Sequence, residues 1–219
     1  MIPLKDENPT RIFPFVTIGI IVLNCLFFLY QLSWGRGLTL RLGAIPYEIT
    51  NGVDIFPPSP IPVRLTPFTS MFMHGGLLHI GGNMLYLWIF GDNVEEQLGH
   101  LRFLLFYLGC GLAAEGLQIL TNPASQVPMI GASGAIAGVL GAYLIRFPRA
   151  RVLTLVIFGF FIRLVRIPAF LLLGLWFLIQ LLNGLPSLGG RLGGGVAWFA
   201  HIGGFTAGLL GAKLLERRS

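Results

Sequence analysis

Six apolar stretches decide what this chain can become. They cover residues 15–32, 77–95, 101–120, 130–147, 169–182 and 196–215. A hydrocarbon layer of about 30 Å takes roughly 20 apolar residues of helix to cross. The pattern therefore predicts an all-α, polytopic membrane protein, a six-transmembrane-helix bundle in which residues 1–219 form one domain. The fourth and fifth stretches are short for a crossing, so their ends are expected below the membrane surface or beside water-filled space. Composition points the same way: 54% of the residues are hydrophobic and 11% charged, outside the range of ordinary soluble domains. In a soluble protein the formal charge of +6 would suggest nucleic acid. Here the bilayer is the expected partner and nucleic acid is not.

Lys and Arg concentrate in cytoplasmic loops. With the N-terminus inside, eleven basic residues (Lys5, Arg11, Arg102, Arg146, Arg149, Arg151, Arg163, Arg166, Lys213, Arg217, Arg218) fall on the inner side. Four (Arg36, Arg41, Arg64, Arg191) fall outside, so both termini are expected in the cytoplasm. The first stretch ends in "QLSWGRG" without a small-x-small cleavage site and is read as a retained helix. Cys25 and Cys110 lie inside apolar runs and read as small packing residues. The outer loop, residues 33–73, is too rich in proline for one helix, and its "TPFTSMFM" is expected to lie in the membrane interface. Residues 148–168 read equally as a strand pair or a surface helix. Six glycines in residues 184–195 predict a mobile outer loop.

Polar side chains inside such runs are functional candidates by default. His79, Ser133 and His201 lie near the outer starts of the second, fourth and sixth stretches, within about 10 Å of the helix ends and so at one depth. Asn83 shares a helix face with His79. That set suits acyl transfer: Ser133 as nucleophile, His201 as base, and Asn83, His79 and the Ser133 backbone N–H as oxyanion donors. None of the nine acids is near His201, so a Ser/His dyad is the economical form. Ala137 and Gly141 follow Ser133, and Gly204 and Gly208 follow His201, at helical spacing. These small residues are expected to let the two helices meet. No H-E-x-x-H pair offers a metal site, and no cofactor is expected.

With "HGGLLHIGGN", "GDNVEEQLG", "GASG" and "AHIGG" in this order, the chain resembles the rhomboid family of intramembrane serine proteases. The resemblance implies cleavage of transmembrane protein substrates at Ser133 and His201, without metal or nucleotide. It also implies lateral substrate entry, with the fifth helix and the 184–195 loop as moving parts. His74, Glu95, Gly131, Gly134 and Gly204 are then structural residues near the site, Glu95 as a clasp between loops or helices and His74 as a loop-fixing residue. His100 reads as an ordinary loop residue, and Glu115 has no evident partner. Two positions depart from the family's usual pattern: Thr66 stands where a Trp-Arg or Tyr-Arg pair is common, and Ala137 where an aromatic residue packs on the histidine. Trp198, Phe199 and Phe205 are the candidates to hold His201 instead. A non-proteolytic rhomboid-like binding factor is one alternative, and a small transporter using Glu115 is another. Orientation and the lack of a targeting segment suit a prokaryotic plasma membrane, with the site near the outer face.

Overall fold

The computed structural model describes residues 1–55, 57–188 and 195–214. Six longer helices carry the apolar stretches: α1 (Phe15–Trp34), α5 (Leu77–Leu98), α6 (His100–Thr121), α7 (Ser133–Arg146), α8 (Ala169–Gly184) and α9 (Trp198–Leu214). Three short ones, α2 (Arg36–Leu42), α3 (Pro46–Asn51) and α4 (Thr66–Ser70), lie in the long loop after α1. By length and composition α1 and α6 suffice to cross a membrane, and α7 and α8 are shorter apolar helices.

Helix α1 buries one stripe that includes polar residues and leaves leucines exposed around the rest. In α1 the buried positions are Thr17, Ile20, Asn24, Phe28 and Gln31, a helical stripe with three polar members, while Leu26, Leu29 and Leu32 are exposed. The short helix α7 is enclosed by protein: Gly134 through Tyr143 are all buried. It packs on α5, α6, α8 and α9.

The seam between α7 and α9 explains the glycines. A Cβ at Gly204 would fall on Gly134 O, and one at Gly208 on Gly138 O, so backbone touches backbone. The α9 half is the pair named from sequence. On α7 the seam runs through Gly134, Gly138 and Gly141, while Ala137 turns to a cavity lined also by Ser133.

The all-α expectation is corrected at one end. Residues 148–168 form a strand pair, β2 (Arg151–Phe158) and β3 (Phe161–Pro168), and β1 (Ile2–Asp6) adds to β2 in an antiparallel sheet of order β1-β2-β3. Phe158 pairs with Phe161 across a two-residue turn, where Gly159 supplies the positive φ (+56°). In the outer loop Thr66, Pro67 and Ser70 are buried, Met71 and Met73 are at most 1% exposed, and Phe68 stays exposed, so this stretch packs on the helices along one side. Half of the glycine-rich loop, residues 189–194, lies outside the described residues, and the mobility expected of it with them.

The motif "GDNVEEQLG" is the brace for the N-terminal arm. Asp92 accepts from Thr10 Oγ1 (3.1 Å), Asn93 from Asn8, and Glu96 from the Arg11 backbone N–H (2.9 Å). Glu95, fully buried, accepts from the Val16 and Thr17 amides (2.9 and 2.7 Å) and from Thr17 Oγ1 (2.7 Å). Pro14 offers α1 no side-chain cap, so Glu95 caps that helix from α5. His100 starts α6 and is hydrogen-bonded through Nδ1 to Glu95 (2.6 Å), correcting its reading as an ordinary loop residue.

Candidate active site

Ser133 is the first residue of α7. The turn into it is set by Gly131, whose φ is +121° and whose notional Cβ would stand 2.8 Å from His79 Nε2. Glycine is required there on both counts. Its amide donates to Ser70 O (2.9 Å), and Ser70 Oγ donates to Glu115 Oε1 (3.1 Å). Glu115 therefore has a place: through Ser70 it steadies the loop that presents the serine.

His201 lies in the first turn of α9, opposite Ser133. Its Nε2 is 2.8 Å from Ser133 Oγ. The start of α9 is fixed from α6, where Gln118 Oε1 accepts from the Phe199 and Ala200 amides (3.0 and 3.3 Å). The other ring nitrogen, Nδ1, meets Gln180 Oε1 of α8 at 2.8 Å. Trp176, one turn earlier on α8, places its ring 5.8 Å from the imidazole, and Trp198 presents an edge at 6.3 Å. Of the aromatics expected to support His201, Trp198 touches it, whereas Phe205 packs on Trp176 and Phe177.

On the opposite wall stand His79 and Asn83 of α5. The Gly75 amide donates to His79 Nδ1 (3.2 Å), which leaves the ring proton of the neutral imidazole on Nε2, the atom beside Gly131. Asn83 Nδ2 is buried without a hydrogen-bond partner among the described residues. The first intrahelical bond of α7 runs from Ile136 N to Ala132 O, so the amides of Ser133, Gly134 and Ala135 have no intrahelical acceptor. His74 stacks its ring on His79 (5.1 Å, edge-on), while its backbone exchanges two hydrogen bonds with the Gln31 side chain (2.8 and 3.0 Å).

Ser133, His201, His79 and Asn83 share one cavity of about 380 Å³ with an apolar wall that includes Tyr86, Ile136 and Trp176. The arrangement offers a hydroxyl, a base and several spare donors in one chamber, the requirements for acyl transfer. Among the described residues no cluster of three His, Cys, Asp or Glu side chains could hold a metal. Glu95, the other polar candidate, is not at this site; it serves the opposite end of α5. Sequence reasoning missed Gln180, Gln118 and Ser70. Both glutamines are visible in the sequence as amides within apolar runs, a signal that marks them as polar candidates but names no partner.

The Rhomboid domain family model matches residues 64–218. The chain is 31% identical to rhomboid protease GluP of Bacillus subtilis (strain 168) over 97% of its own length and 38% of that protein's. It is 35% identical to Rhomboid protein 1, mitochondrial, of Saccharomyces cerevisiae over 42% of this chain and 28% of the relative. With the putative rhomboid protease YdcA of Bacillus subtilis it shares 38% identity over 35% of this chain and 38% of the other. The chain thus spans 28% to 38% of the length of these relatives.

Proposed function

The chain belongs to the rhomboid family, an integral membrane protein family, and from that premise we propose that it is a serine endopeptidase that cuts membrane-spanning substrates with a Ser133/His201 dyad. The observation that carries this reading is the 2.8 Å contact between Ser133 Oγ and His201 Nε2. Nε2 takes the hydroxyl proton as Oγ attacks the peptide carbonyl carbon. The carbonyl oxygen gains charge and is received by the Ser133 amide, Asn83 Nδ2 and His79 Nε2–H. The imidazolium then returns its proton to the departing amine, leaving an ester on Ser133. Water, activated by the same nitrogen, hydrolyses the ester and frees the enzyme.

The six longer helices would each cross the bilayer, with α7 shortened because protein and a wet chamber replace lipid around it. The termini and the sheet would face the cytoplasm and the site would open near the outer surface. A helical substrate hides its carbonyls, so the scissile segment must unwind, which favours small or helix-weakening residues there. The test is cleavage of a panel of single-span proteins by the purified chain beside its Ser133→Ala variant. Cleavage is expected to disappear in the variant while its thermal unfolding stays unchanged. Cleavage that survives the substitution overturns the mechanism, and capture of substrates without cleavage by the unmodified chain favours a non-proteolytic binding role.

A further inference from the structure

The amide of Gln180 decides which nitrogen of His201 carries the proton, and we propose that this makes Gln180 a positioning residue for the dyad; the proposal rests on the protease reading above. Gln180 is 5% exposed on α8, so its amide orientation is set by protein and not by water. Its Nε2 donates to Trp176 O, four residues earlier on the same helix, at 3.0 Å. A flipped amide would set its oxygen against that carbonyl, acceptor on acceptor. Oε1 is therefore the end that faces His201 Nδ1 at 2.8 Å. A carboxamide oxygen only accepts, so Nδ1 must donate to it. In the neutral ring that leaves Nε2 with a lone pair, aimed at Ser133 Oγ 2.8 Å away. The chain of hydrogen bonds has one consistent direction, from Ser133 Oγ–H to Nε2 and from Nδ1–H to Oε1.

The preceding turn of α8 contributes Trp176, whose ring lies 5.8 Å from the imidazole. One helix thus supplies both the hydrogen-bond acceptor and the aromatic contact for a histidine carried by another. Ala137 of α7, which also lines the chamber, has no ring to stack on the imidazole. A neutral amide suits this place. It selects the tautomer as a carboxylate would, without burying a charge beside the base and without stabilising the imidazolium so far that Nε2 stays protonated.

The experiment uses the full chain in lipid vesicles with a single-span substrate, comparing wild type, Gln180→Leu and Gln180→Glu, with Ser133→Ala as the blank. Gln180→Leu is expected to lower kcat about 10- to 100-fold with little change in KM, since an ill-oriented base loses part of the proton-transfer advantage. Gln180→Glu is expected to keep substantial activity and to move the acid limb of the kcat profile upward by about one pH unit, because a carboxylate favours the protonated ring. Nitrogen NMR of 15N-histidine-labelled wild type reads the tautomer without any turnover: His201 is expected with hydrogen on Nδ1 and none on Nε2. The proposal is overturned by the opposite tautomer in wild type, by an acid limb that does not move in Gln180→Glu, or by a folded Gln180→Leu with unchanged kcat. Failure of the protease reading shows differently, as wild type no more active than Ser133→Ala whatever the NMR reports.

Discussion

Two helices in this molecule begin without a cap of their own and borrow one from a neighbour. At the sheet end Glu95 of α5 receives the first amides of α1, and at the other end Gln118 of α6 receives those of α9. The sheet-end cap is a carboxylate saturated by four donors, since Thr17 Oγ1 and His100 also reach it. Near the dyad the corresponding groups are neutral amides, and Asn83 Nδ2 is left over. The difference separates bracing from chemistry. A carboxylate with every lone pair occupied locks helices together in a dry interior. In the proposed mechanism His201 accepts a proton, its partners Gln180 and Ser133 are neutral, and the unpaired Asn83 Nδ2 would receive charge that develops only during reaction.

The largest effect should come from the seam that both ends depend on. Gly208→Ala puts a methyl on Gly138 O, which forces α7 and α9 apart. A loss of about 3 kcal/mol is expected, at the upper end of overpacking costs, together with loss of cleavage as Ser133 and His201 separate. Gly109→Ala on α6 is the control, because nothing lies within 4 Å of its Cβ. Thermal unfolding in detergent compares them, and equal midpoints would contradict the backbone contact. Next in size is Glu95→Ala, which strips the acceptor from two amides and a hydroxyl at the start of α1. About 2 kcal/mol of stability should go, as expected for buried donors left unpaired. The folded fraction should turn over substrate at the wild-type kcat. A matching fall in kcat would show that bracing and chemistry are not separable.

The grouping of the candidate site's residues was legible because each sits near a helix start. His79, Ser133 and His201 needed only the common depth of three apolar runs to be grouped, and Ser133 and His201 do lie 2.8 Å apart. The partner of an amide is harder to read: no period links Gln180 to His201 or Gln118 to Phe199, since those contacts exist only after α8 and α6 have packed against α9. The seam was read half right on α7: Gly141 lies on it, but Ala137, four residues after Ser133, lines the chamber with that serine, and the upper contact runs through Gly134 and Gly138. The hairpin stayed ambiguous because "RVLTLVIF" is almost continuously apolar, a run that suits a strand or a helix equally.

The smallest effect concerns the sheet end alone. Asp6 of β1 accepts from Tyr143 Oη (2.7 Å), tying the last turns of α7 to the sheet. Burial lifts its carboxyl from the ordinary 3.8 to about 6; the Tyr143 hydrogen bond opposes this, nearby Asp92 adds to it, and Lys5 opposes it weakly. The folded state therefore holds this proton more tightly than the unfolded chain. Its contribution to stability is complete below the ordinary value and is lost as pH rises through about 6. Asp6→Asn keeps an oxygen for the tyrosine and cannot ionise. Its unfolding midpoint should match wild type near about pH 4 and exceed it by a few degrees near about pH 7.5. Parallel curves for the two proteins would mean that Asp6 ionises in the fold as freely as in the open chain. Cleavage at saturating substrate should not distinguish them at either pH, because Asp6 and Tyr143 meet at the end of α7 opposite Ser133.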